Sequence, residues 1–132
     1  MIFLDANFII SLLLRKHEKY QRATEIWNDI INEEKITSRL IVTEVLNTLN
    51  VRLKQNIELS EKAYKLIYNS STVLYDTDYY DKGLEYMKLY YPKDRLPFND
   101  CVYMALMEDL EIKEIATFDS HFDLNKNIKR IH

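Results

Sequence analysis

The sequence has few of the residues that punctuate or cross-link a chain: one glycine, one cysteine and two prolines in 132 residues. Each scarcity excludes something. With Gly83 alone, no glycine-rich loop can cradle phosphates, which removes the dinucleotide- and ATP-binding folds that rely on one. Cys101 by itself permits neither an internal disulfide nor a cysteine-based zinc site, and suits a reducing cytosol. The longest nearly apolar run, Phe8 to Leu14, is far too short to span a bilayer. The first residues include an acid, Asp5, and no basic stretch, so the expectation is no signal peptide, no membrane partner and a cytoplasmic location. Excess positive charge is also missing: the net charge is −3, and residues 67–132 hold 12 acids against 8 bases. Such a chain does not coat nucleic acid indiscriminately, so any such contact must come from a local patch.

What is present is ordinary for a globular protein, 47% hydrophobic and 30% charged. The length predicts one domain, 1–132, able to bury a core without staples. Met1 to Leu4 reads as a short buried strand, and an apolar helix follows from about Phe8 to Leu14. Tyr20, Ala23, Ile26, Trp27, Ile30 and Ile31 mark a second helix, and Ile36 to Ser38 a short strand. Val42, Leu46, Leu49 and Leu53 form a helical stripe, with Glu44 nearly opposite it; periodicity alone makes Glu44 a solvated surface acid. Ser60 is the expected cap of a helix through Ala63, Leu66 and Ile67. Ser71 to Tyr75 reads as a strand, and Thr77 or Asp78 opens a helix carrying Leu84, Met87 and Tyr91. Pro92 and Pro97 bracket a loop before a helix that starts at Asn99-Asp100, with Val102, Ala105, Leu106 and Leu110 on one side. Glu114 to Phe118 is a strand ended by Asp119, and Ile128 to Ile131 an edge strand. This alternation predicts an α/β fold with a parallel sheet. The ten tyrosines are scattered over helix faces and read as packing and surface aromatics rather than base-stacking platforms.

Four acids fall in suggestive places: Asp5 and Asp119 at strand ends, Asp100 at a helix start and Glu44 on a helix. Parallel strands would bring Asp5 and Asp119 to one edge, the usual place for a site in an open α/β sheet. Asp5 is equally suited to capping the helix that follows it. Clustered carboxylates without basic partners repel unless a cation is present. Oxygen ligands suit Mg²⁺ or Mn²⁺, which can lower the pKa of water and stabilise charge on a phosphoryl group. Asp123 lies about one helical turn beyond Asp119, so it either joins the cluster or caps its own segment.

Leu4-Asp5-Ala6-Asn7, Thr43-Glu44-Val45-Leu46, Asn99-Asp100-Cys101-Val102-Tyr103-Met104-Ala105 and Ala116-Thr117-Phe118-Asp119-Ser120-His121-Phe122 form an ordered set along nearly the full length. In these pieces the chain resembles a PIN domain, and within that superfamily the toxin half of a VapBC-type toxin–antitoxin pair. The resemblance implies a PIN-like (Rossmann-like) three-layer α/β fold, with a mostly parallel central sheet of about four or five strands flanked by helices. It implies that Asp5, Glu44, Asp100 and Asp119 gather around Mg²⁺ or Mn²⁺ and hydrolyse RNA phosphodiesters. It therefore turns Glu44 toward a cleft, against the periodicity. Asn7, Thr117, Ser120 and Asp123 become supporting or substrate-positioning groups. Arg15, Lys16, Lys19, Arg39, Lys93 and Arg95 are the candidate RNA contacts, each also readable as a solvated surface charge. A VapB-like antitoxin and a homodimer are the implied partners.

Two other classes fit less well. A receiver domain would want an acid pair after the first strand and a lysine after the last core strand, and neither occurs. A haloacid-dehalogenase-type phosphatase would want a second acid where Asn7 stands. A PIN nuclease of RNA processing without an antitoxin, or a PIN-like module that binds RNA or protein without cutting, remain the rivals; the four acids speak against the second.

Overall fold

The computed structural model describes Met1–His132. Five short strands, β1 (Ile2–Leu4), β2 (Lys35–Ser38), β3 (Thr72–Leu74), β4 (Glu114–Ala116) and β5 (Lys129–Ile131), form one sheet in the order β3-β2-β1-β4-β5. Every pairing is parallel. Six helices flank it: α1 (Ala6–Leu13), α2 (Tyr20–Asp29), α3 (Arg39–Asn47), α4 (Ile57–Ser70), α5 (Tyr80–Tyr90) and α6 (Phe98–Asp109). This is the expected PIN-like α/β architecture, at five strands. The chain builds outward from β1 through β2 to β3, then returns to the other side of β1 for β4 and β5. The order thus reverses beside β1, which opens a crevice at the carboxyl ends of β1 and β4.

Twenty-seven buried apolar residues make one cluster, centred on β1, α1, α3 and α6. Helix α6 is the exception to an amphipathic reading. Asp100 through Met107 are all buried, so the one-sided stripe expected there is wrong: the helix is covered on every face. Helix α5 crosses it at Gly83, where an added Cβ would meet Val102 Cγ2 at 2.9 Å and Val102 Cα at 3.2 Å. That contact turns α5 by about one residue from the expected face. Gly83, Tyr86, Met87 and Tyr90 face inward, Leu84 is exposed, and Tyr91 lies beyond the helix.

Three further expectations fail for local reasons. Helix α3 runs into a π-helical segment, Thr48–Arg52, whose wider turn shifts the phase of everything after it. The buried set is Ile41, Val42, Val45 and Leu49, while Leu53 is exposed. Ser60 does not cap α4. Asn56, in extended conformation, accepts the Leu59 N–H at 3.0 Å, and Ser60 sits buried inside the first turns. Helix α1 starts at Ala6 rather than Phe8, because Asp5 itself is the cap.

Candidate active site

The register between β1 and β4 pairs Leu4 with Ala116, so the next residues, Asp5 and Thr117, emerge side by side. Asp5 Oδ1 accepts the Ala6 N–H at 2.8 Å, and Oδ2 accepts the Thr117 hydroxyl at 2.6 Å and Asn7 Nδ2 at 3.0 Å. The two readings of Asp5 therefore do not compete: one oxygen caps α1 while the residue lines the crevice. Thr117 is fully buried and acts as a hub, since its Oγ1 also accepts from Asn7 Nδ2 and from the Asp119 N–H, both at 3.0 Å. Asn7 Oδ1 accepts the Phe118 N–H at 2.9 Å, tying the start of α1 to the segment after β4.

Glu44 enters from α3. Its Oε1 accepts Asn99 Nδ2 at 2.7 Å and the Tyr103 hydroxyl at 3.0 Å, two groups one turn apart on α6. Glu44 is half-buried in the crevice, which overturns its periodicity reading as a solvated acid. A hydrophobic stripe reports only one partner face, and here α6 supplies a second, polar one. Burial and the nearby charge of Glu44 hold the Tyr103 phenol far above its ordinary range, so it stays a donor. The first turn of α3 is fixed from outside: Asp76, after β3, accepts the Leu40 N–H at 2.8 Å, whereas Ser38 makes no side-chain cap.

Asp100 lies in the first turn of α6, 8% exposed, and Asp119 follows β4, where its Oδ1 accepts the His121 N–H at 2.9 Å. These acids, with Asp5, Asn7, Glu44 and Thr48, line a cleft of about 330 Å³. The electrostatics are those of acids crowded together, with the His121 ring nitrogen 3.5 Å from Asp100 Oδ2 and 3.3 Å from Asp119 Oδ1 opposing part of the rise at Asp100. Burial pushes the Asp5 carboxyl up to about 7; the Thr117 hydrogen bond opposes this and the charge of Asp100 adds to it. Burial, then the charges of Asp119 and Glu44, raise Asp100 to about 6. Asp100 Oδ2 is buried with no hydrogen-bond partner. An orphaned carboxylate oxygen among repelling acids fits a hard divalent cation. Asp100, Asp119 and His121 place one donor atom each within 4.8 Å of one another, and these residues can hold such an ion. A larger cleft of about 400 Å³ lies toward the amino-terminal ends of β4 and β5, but of its two acids Glu108 is engaged by the Tyr86 hydroxyl at 2.7 Å, and Glu111 shares the lining with Lys113 and Lys126.

The sequence model of the PIN domain matches residues 2–127. The chain belongs to the PIN domain family. No curated protein matches it by sequence. Among solved structures, this PIN domain is similar to the Mycobacterium tuberculosis toxin VapC20, which cleaves the sarcin–ricin loop: TM-score 0.82, 19% identity, covering 94% of each chain. It is also similar to FitAcB from Neisseria gonorrhoeae, with TM-score 0.68 and 18% identity over 100% of this chain and 97% of the other. A toxin–antitoxin complex from Klebsiella pneumoniae matches with TM-score 0.68 and 14% identity over 98% and 96%. At these identities the likeness is one of fold.

The PIN domain brings together Asp5, Glu44, Asp100, Asp119, Asn7 and Thr117. It does not bring in Asp123, whose carboxylate is bound bidentately by Arg130 at 2.8 Å, nor Ser120, which is exposed beside the cluster without a hydrogen bond. None of the six basic candidates lines the cleft. Lys19 lies over the Phe118 ring, next to Asp119; Arg39 stacks on Tyr75, and Arg95 on Tyr91. Arg15, Lys16 and Lys93 are exposed. The basic side chains that do line the cleft, Arg52 and His17, escape the sequence reading. Arg52 had a signal: Glu44, Thr48 and Arg52 recur every four residues, so placing Glu44 in the cleft carries the others with it.

Proposed function

We propose that this chain, acting over 1–132 as a single PIN domain, is a divalent-metal-dependent endoribonuclease and the toxin of a toxin–antitoxin pair in the cytoplasm. The observation that carries the reading is the convergence of four carboxylates on one cleft, with Asp100 Oδ2 buried and unpartnered. Asp5, Glu44, Asp100 and Asp119 are the residues that would hold Mg²⁺ or Mn²⁺. When bound, the ion lowers the pKa of water and offsets charge developing on a phosphoryl group. The remaining work belongs to the chain. Thr117 and Asn7 hold the Asp5 carboxylate in place; Asn99 and Tyr103 hold Glu44. Arg52 at the cleft, with Lys19 and Arg39 on the same sheet edge and Arg15, Lys16, Lys93 and Arg95 further out, draws in the RNA backbone. Ser120 is read as a substrate-positioning hydroxyl and Asp123 as a support of the segment after Asp119 through Arg130. The toxin and toxin–antitoxin structures among the relatives support an antitoxin partner, read here as VapB-like, and a homodimer is part of the same proposal.

The test is cleavage of structured RNAs, including tRNA and ribosomal fragments, by the purified protein with Mg²⁺, with Mn²⁺ and with EDTA. Cleavage is expected with either metal, and expected to vanish with chelator and in Asp5→Asn and Asp100→Asn. Cleavage that survives both substitutions would overturn the four-carboxylate site. A short protein encoded beside this gene should bind the chain and block cleavage.

A further inference from the structure

We infer that His121 is a nitrogen ligand of the same metal centre and biases it toward Mn²⁺ over Mg²⁺. The inference deepens the metal-site reading above and rests on it. Asp119 is the N-cap of the 3₁₀ turn Ser120–Leu124, and by accepting the His121 N–H it fixes the His121 backbone beside its own carboxylate. The ring then turns back into the cluster. Its Nδ1 stands 3.3 Å from Asp119 Oδ1 and 3.5 Å from Asp100 Oδ2, the oxygen with no hydrogen-bond partner. Asp100, Asp119 and His121 offer one donor atom each within 4.8 Å of one another, a spacing that leaves room for one ion among them. A ring nitrogen within ion-pair reach of two carboxylates is placed to become their co-ligand when a divalent ion enters. A carboxylate set alone accepts Mg²⁺ and Mn²⁺; an imidazole donor favours the transition metal.

The test reads metal binding directly, without RNA. Mn²⁺ is titrated into the metal-stripped protein and followed by electron paramagnetic resonance. Electron spin-echo modulation of the bound ion then reports directly coupled ¹⁴N, and Mg²⁺ competition gives the selectivity. The wild type is expected to show imidazole-type ¹⁴N modulation. His121→Gln should lose that modulation and lose about tenfold in Mn²⁺ affinity relative to Mg²⁺. The His121 side chain is 46% exposed, so circular dichroism should show the fold retained. Bound Mn²⁺ without ¹⁴N coupling, or an unchanged selectivity in His121→Gln, would overturn the inference and leave the four-carboxylate reading standing. No Mn²⁺ binding by the wild type would overturn both.

Discussion

At the scale of single residues, the site depends on one hydroxyl. Thr117 Oγ1 donates to Asp5 and accepts from Asn7 and from the Asp119 N–H, so three parts of the site meet on a side chain that never reaches solvent. Thr117→Val keeps the shape and removes the hydroxyl. It leaves two donors and the Asp5 carboxylate short of a partner in a buried place, which should cost roughly 1–3 kcal/mol of stability. Because Asp5 would also lose the bond that favours its ionised form, Mn²⁺ affinity should fall along with kcat. Chemical denaturation and metal titration check the two effects; a variant as stable and as metal-competent as wild type would remove the hub role. The sequence made Asp5, Asp100 and Asp119 legible, because an acid just past a buried strand or at a helix start is in a recognisable place. Periodicity hid Glu44, which only the family resemblance turned toward the cleft; nothing in the sequence marked Asn99 and Tyr103, whose roles depend on two helices meeting, or His121, whose ring points backward from a turn that no periodicity describes.

Elements were legible in kind and order and less so in phase. All five strands and six helices were foreseen, yet the inward faces of α5 and of the segment after α3 were each misassigned. The causes are physical. A π-helical turn changes the residue spacing without a compositional marker, and α5 is oriented by a close crossing rather than by its most apolar side. That crossing explains the single glycine. At Gly83 a methyl group would press on Val102 Cγ2 and on the α6 backbone, and Val102 is itself fully buried. Gly83→Ala should therefore destabilise by about 1–3 kcal/mol, against the gain that alanine usually gives inside a helix. Adding Val102→Ala removes only the side-chain half of the clash, so the double variant should recover part of the loss relative to additivity. Urea unfolding of the two singles and the double checks this; a stabilised Gly83→Ala would mean that the helices can part without penalty.

The whole molecule concentrates charge where the sheet reverses, and this sets how its stability should respond to pH and metal. Asp5 moves from 3.8 to about 7 on folding and Asp100 from 3.8 to about 6. Both shifts are upward, so between these values and the unfolded ones the folded chain binds more protons than the unfolded chain. The stability they contribute is complete below about pH 4 and is lost as pH rises through 6 and 7. The metal-free protein should accordingly lose on the order of 5 °C in Tm between pH 5.5 and pH 8. Asp5→Asn, which carries no charge to bury, should flatten much of that slope. A bound divalent ion reverses the balance, because it binds the folded cluster in its ionised form and hardly at all the unfolded chain. Millimolar Mn²⁺ should then raise Tm most at pH 8 and little at pH 5.5, where protons compete for the same oxygens. Thermal melts of wild type and Asp5→Asn, each with EDTA and with Mn²⁺ at both pH values, separate the terms. If the wild type without metal were as stable at pH 8 as at pH 5.5, the four acids would not be crowded enough to need a cation, and the case for a metal nuclease would lose its physical ground.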